Sequence, residues 1–222
     1  MLRIDSDGYR ILSVLCVFSL LGAGIYYIAR WELLLYLTGL FCVLAIFSLS
    51  FFRDPERTGP DERDAAVSAA DGVVVDISTV RTDDLGDREI LRIAIFMNIF
   101  NVHVNRSPLD GRVVRIKHRN GKKLSAFNKR AEYENEHGDT DIETAWGLVR
   151  IRQIAGLLAR RVVTRVKEGD MLNRGDRLGI IRFGSRVDVF FPKAFKPAVT
   201  KGDHVIAGET IIARPVLNEN CE

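Results

Sequence analysis

The sequence predicts a mainly β protein, a β-rich α+β body of short strands preceded by an N-terminal helical hairpin that crosses a membrane. Three observations carry this. Residues 1–52 hold only six charged residues (Arg3, Asp5, Asp7, Arg10, Arg30, Glu32) although the chain as a whole is 27% charged. The remainder is a series of short β-branched and aromatic segments bounded by Gly, Asp and Pro. Within it, one Gly-Asp pattern recurs at fixed spacing.

The hairpin comes first. Residues 11–28 and 33–52 carry no charge, and at about 1.5 Å per helical residue each run reaches roughly 27–30 Å, enough for a bilayer core. The four residues between them, Ala29 to Glu32, permit only a tight turn, so both ends emerge on one side. Tyr26, Tyr27 and Trp31 sit where interfacial aromatics belong. Arg3, Arg10, Arg53 and Arg57 flank the open ends against Arg30 alone in the turn, which puts the body on the cytoplasmic side of the cell membrane. A cleaved signal peptide fits poorly, because the first run is long, lacks a small-x-small site and is followed at once by a second span.

A connector, residues 53–64, rich in charge, Pro and Gly, leads to the body, residues 65–222. Strands are expected at Gly72–Ile77, Ile90–Met97, Arg112–Lys117, Gly147–Ile154, Leu178–Phe183 and Val187–Phe191, with a polar helix at Ala126–Glu136. The stretch Val166-x-x-Gly169-Asp170-x-x-x-x-Gly175-Asp176-x-Leu178 matches Val199-x-x-Gly202-Asp203-x-x-x-x-Gly208-Glu209-x-Ile211 position by position. Asp71-Gly72-Val73-Val74 and Asp110-Gly111-Arg112-Val113 extend the pattern. Such turns bracketing short strands fold a flattened, barrel-like sandwich, and the repeat resembles the hammerhead of lipoyl and biotinyl domains. No Asp-Lys-Ala attachment site is present, so a carrier role is not expected.

Composition narrows the chemistry. Three cysteines, Cys16, Cys42 and Cys221, make neither a disulfide framework nor a metal-ligand spacing, so a reducing compartment and no metal are expected. A net charge of +3 does not call for nucleic acid. The local basic run from Arg112 through Arg115, Lys117, Arg119, Lys122 and Lys123 reads equally as a solvated strand and turn or as a patch toward anionic lipid. Dinucleotide, phosphate-loop and Gly-x-Ser-x-Gly signatures are absent. What remains is Phe183-Gly184-Ser185-Arg186 between two strongly β segments, the only Gly-Ser dipeptide in the chain.

Four blocks give that dipeptide a context: Phe51-Phe-Arg-Asp-Pro-Glu-Arg57, Ser68-Ala-Ala-Asp71-Gly72, Ile95-Phe-Met-Asn-Ile-Phe-Asn-Val-His103-Val-Asn-Arg-Ser-Pro108, and Arg182-Phe-Gly184-Ser185-Arg186-Val-Asp188. In order and spacing, behind a membrane hairpin, they resemble the short bacterial form of the phosphatidylserine decarboxylase family over nearly the whole chain. The resemblance implies a proenzyme that cuts itself between Gly184 and Ser185 into a large chain (1–184) and a small chain (185–222), which stay together as a heterodimer. It implies a pyruvoyl cofactor made from Ser185, a Schiff base to a membrane phospholipid substrate, and conversion of phosphatidylserine to phosphatidylethanolamine and carbon dioxide.

Gly184 suits the cut because it leaves its carbonyl open to attack. A serine hydroxyl needs a base oriented by a third group, and the resemblance assigns His103 as base and Asp71 as its orienter. Read from the residues alone, His103 between Val102 and Val104 is first a half-buried structural histidine, and it is the family blocks that make it the base. Asp110 rivals Asp71, since both precede Gly and both suit a turn. His118, His137 and His204 lie in charged or turn-like sequence and read as solvated. Arg186 is a candidate phosphate contact or a surface strand arginine. Longer family members carry a second histidine where this chain has Phe100, which leaves the acid that reprotonates the α carbon open between His103 and water. Two other readings stand beside this one: a decarboxylase of another serine phospholipid, archaetidylserine-like, and a membrane adaptor with a lipoyl-like body, which gives Gly184-Ser185 no task.

Overall fold

The two apolar runs fold as helices α1 (Ser6–Ala29) and α2 (Glu32–Phe51) in the computed structural model, which describes residues 3–81, 85, 89–121, 134–156, 162–182 and 185–216. The expected helix Ala126–Glu136 as far as residue 133, Lys122, Lys123, Phe183, Gly184 and Cys221 lie outside these residues. Asp5 starts α1, its carboxylate accepting the Asp7 N–H, and Arg30 ends it in the left-handed region (φ 55°) with its N–H on the Tyr26 carbonyl. Only Arg30 and Trp31 separate the helices, so the second must run back along the first. They meet at Gly22, where an added Cβ would fall on Thr38 Oγ1, and at the stacked rings of Phe18 and Phe41, 5.4 Å apart. Val14, Leu20, Ile28, Leu33 and Ile46 point outward, an all-round apolar surface that suits a lipid environment. Both helices are long and apolar enough to cross a membrane. The hairpin's open end is tied by Asp5 N–H to Phe52 O and Asp54 N–H to Arg3 O, each 2.8 Å. Together these residues form one unit, 1–56, and the remainder forms a second, 57–222.

The body is built of strands β1 (Ala66–Val67), β2 (Gly72–Arg81), β3 (Glu89–Met97), β4 (Val104–Arg106), β5 (Gly111–Arg119), β6 (His137–Thr144), β7 (Gly147–Ala155), β8 (Val162–Thr164), β9 (Met171–Leu172), β10 (Arg177–Ile181), β11 (Ser185–Phe191), β12 (Phe195–Pro197), β13 (His204–Val205) and β14 (Ile211–Pro215). Eight of them make one curled sheet in the order β13-β2-β3-β11-β7-β6-β5-β9, and two three-stranded sheets, β1-β14-β12 and β4-β10-β8, complete the body. Alternation sorts the large sheet's side chains. Ile93, Ile95, Met97, Val149, Ile151, Val187, Val189 and Phe191 enter one apolar core. The opposite face carries charge in pairs: Arg92 with Asp76, Arg186 with Asp188, Arg152 with Asp139, and Arg150 and Arg115 with Asp141.

One strand is new and one expectation changes. The polar stretch His137–Thr144, for which the sequence predicted no element, is a strand, β6. His137, expected in solvent, is buried there with Nδ1 2.8 Å from the Asn135 carbonyl oxygen. Both follow from pairing that only the fold reveals: Asp139 faces Arg152 and Asp141 faces Arg150 across the β6–β7 ladder.

The sequence repeat is a structural one. Gly169 and Gly202 have φ of 96° and 103°, a region closed to most side chains. In the first copy Gly169 N–H donates to Val113 O while Val113 N–H donates to Asp170 O; in the second, Gly202 and Asp203 make the same exchange with Val74. Gly175 N–H reaches Ser107 O as Gly208 N–H reaches Ser68 O. β9 pairs with the start of β5 as β13 pairs with the start of β2, and β10 pairs with β4 as β14 pairs with β1.

Candidate active site

Ser185 opens β11, and β11 lies between β3 and β7 with Ser185 opposite Met97 on one side and Ala155 on the other. The sequence puts this residue between two expected strands and in neither. Its hydrogen-bonded ladders run through position 185, however, and Ser185 shares the inward face with Val187, Val189 and Phe191. It is fully buried, its hydroxyl 3.3 Å from the Met97 thioether sulfur.

His103 lies in the segment joining β3 to β4 and is also fully buried. Its Nδ1 is 2.9 Å from the Asn101 carbonyl oxygen. A carbonyl only accepts, so Nδ1 carries the proton and Nε2 is the basic nitrogen of the neutral ring. The His103 carbonyl accepts from Ile181 N–H at 3.4 Å, which ties the histidine segment to the strand that leads toward residue 185.

Asp71 precedes β2. Its Oδ1 accepts from Ala207 N–H and its Oδ2 from Arg57 Nη2, both at 2.8 Å. Arg57 also approaches Glu209 at 3.7 Å. The rival Asp110 holds the equivalent place in the other copy of the repeat, with Oδ1 accepting from Arg174 N–H at 2.6 Å. Each carboxylate locks a turn. Asp71 differs in being buried and in its ion pair with Arg57, whereas Asp110 is exposed. Val73 stands opposite Phe96, which stands opposite Arg186, and Arg106 N–H donates to Ala69 O at 2.9 Å. The Asp71, His103 and Ser185 segments therefore gather at one end of the large sheet.

Arg186 is not brought to that side. Alternation turns it to the charged face of the sheet, where its guanidinium is bidentate to Asp188 at 2.6 and 2.7 Å. Sequence reading missed a different set: Met97, Asn105, Gln153 and Thr164, linked by side-chain hydrogen bonds behind Ser185. One signal was available. Gln153 is a lone amide on the inward face of β7, in register with Val149, Ile151 and Ala155 of the apolar core.

The family model for phosphatidylserine decarboxylase matches residues 44–213. The chain belongs to the phosphatidylserine decarboxylase family. Its relatives agree. The phosphatidylserine decarboxylase proenzyme of Pelobacter propionicus is 48% identical over 178 residues, 80% of each chain. That of Geotalea uraniireducens is 42% identical over 210 residues, 94% of this chain and 95% of the relative. That of Nitratidesulfovibrio vulgaris is 48% identical over 179 residues, 79% and 81% of the two chains. As a phosphatidylserine decarboxylase of the proenzyme type, the protein is a decarboxylase of phospholipid biosynthesis made as a zymogen. The matched region of this decarboxylase contains Asp71, His103 and Ser185 together with strands β1–β13.

Proposed function

We propose that this decarboxylase cuts its own chain between Gly184 and Ser185 and uses a pyruvoyl group made from Ser185 to convert phosphatidylserine to phosphatidylethanolamine and carbon dioxide. The supporting observation is the place of Ser185, a buried hydroxyl at the head of an inner strand, in a family whose members are made as proenzymes. His103 Nε2 takes the hydroxyl proton as Oγ attacks the Gly184 carbonyl carbon. An ester forms, the peptide C–N bond breaks, and the nitrogen keeps its pair and gains the proton. Loss of the residue 185 Cα proton then expels the Gly184 carboxylate and leaves dehydroalanine. Tautomerisation and one water convert this to the pyruvoyl group and release ammonia. No external oxidant enters, because Cβ is reduced as Cα is oxidised.

The residues present fit the group. It keeps the three carbons of Ser185 and exchanges a buried hydroxyl for a methyl, beside the Met97 side chain and the apolar core. The chemistry such a ketone supplies is an electron sink for the pair released when a carboxylate departs as carbon dioxide. Asp71, fixed by Arg57 and the Ala207 amide, serves as the negative charge that favours the His103 imidazolium, while the Asn101 carbonyl sets the ring's direction. The hairpin keeps the body at the cytoplasmic surface of the cell membrane, where a diacyl substrate stays. Residues 1–184 and 185–222 remain associated after the cut, since β11 is paired on both edges.

Intact-mass measurement of purified protein under denaturing conditions tests this. Two polypeptides ending and beginning at 184/185 are expected, the smaller blocked at its amino end and reactive toward hydrazine. A single uncut chain in catalytically active membranes overturns the proposal. Ser185→Ala is expected to stay uncut, and His103→Ala to cut at least about 100-fold more slowly.

A further inference from the structure

We infer that Met97, fixed by Asn105 and Gln153, is a positioning residue that aims the Ser185 hydroxyl for the cut; the inference rests on the self-cutting proposed above. A buried hydroxyl takes a partner, and here the partner is a thioether, among the weakest acceptors a side chain offers. Ser185 Oγ is thus given a direction at 3.3 Å without being bound strongly enough to resist transfer of its proton.

A methionine holds nothing steady by itself, since it has three rotatable bonds. The same sulfur, however, receives Asn105 Nδ2 at 3.6 Å. Asn105 cannot turn over, because its Oδ1 accepts from Gln153 Nε2 at 2.8 Å. Gln153 is fixed in turn, its Oε1 accepting from Thr164 Oγ1 at 3.2 Å. Each amide has its oxygen end taken, so each directs an N–H onward. The donors run from β8 through β7 and β4 to the end of β3, where they meet Ser185. Asn105, Met97 and Ser185 are fully buried and Gln153 is 1% exposed.

The fold does not require this chain of amides. In the other copy of the repeat, where Ser68 matches Ser107, the place of Asn105 is taken by Ala66. Burying a carboxamide costs stability that alanine does not, so an Asn105 on the Ser185 side, where the other copy has Ala66, points to a task there.

Met97→Leu keeps the volume and removes the acceptor. In a time course of purified precursor, cutting is expected about tenfold slower than in the wild type, with the same pH inflection and a thermal midpoint close to the wild-type one. Cutting at the wild-type rate overturns the inference. If Met97→Leu fails to fold, replacing the three methionines by norleucine changes only sulfur to methylene at position 97, and the same two outcomes apply. An uncut wild-type chain would remove the proposed function and this inference with it. Normal cutting in both variants removes the inference alone.

Discussion

Gly72 has no room for a side chain, because a Cβ there would fall on the carbonyl oxygen of Phe96, in the strand that also holds Met97. Backbone cannot yield as a flexible side chain does. Gly72→Ala is therefore expected to push β2 off β3 and to destabilise the body by about 2 kcal/mol or more, measured by chemical denaturation. His137 makes a second test at this scale. Burial pushes its imidazole below the usual histidine range, with the Asn135 carbonyl and Asp139 opposing the shift and Arg152 and Arg119 adding to it. As pH falls through about 6.5 the unfolded chain takes up this proton before the folded one. The body should lose stability from there downward, and His137→Gln should lessen the drop in thermal midpoint between pH 7 and pH 5. The sequence hid this residue, since its charged neighbours suggested solvent and the arginines that neutralise them come from another strand. Arg186 is the opposite case: its partner Asp188 lies two residues on in the same strand and therefore on the same face, so this pairing was legible locally.

At the scale of elements, what could be read locally was read well. Both apolar helices, and the strands around Ile90–Met97 and Gly147–Ile154, announce themselves by apolar runs and β-branched residues. β6 does not, because its strand character comes from pairing Asp139 and Asp141 with Arg152 and Arg150 of β7 rather than from its own composition. β11 was recognised from Val187 onward, but its first two residues join the ladder only because β3 and β7 reach that far. Its other end is anchored by Phe191, fully buried and 5.1 Å from the Phe195 ring. Phe191→Ala should cost about 3–5 kcal/mol in a denaturation experiment, and loosening the strand that carries Ser185 should slow chain cutting as well.

Across the whole molecule, one turn-and-strand unit is used twice, and the copies differ in chemistry rather than in frame. Asp71 and Asp110 lock equivalent turns, so sequence could not choose between them; burial and Arg57 single out Asp71 only in the folded body. Asp110→Asn is expected to lower stability by about 1 kcal/mol through a weakened turn hydrogen bond while cutting proceeds at the wild-type rate. Asp71→Asn should slow cutting, measured by the same gel or mass assay. Equal effects on cutting would assign both carboxylates to the frame.

The place of β11 between β3 and β7 also sets a clock. A chain emerging from the ribosome exposes the inner edges of both neighbours for as long as residues 185–191 are still inside the exit tunnel. The serine acquires its buried surroundings only when β11 slides into that gap. On the cutting proposed above, a nascent polypeptide truncated before β11 does not mature, and activation then reports that translation has run past residue 191.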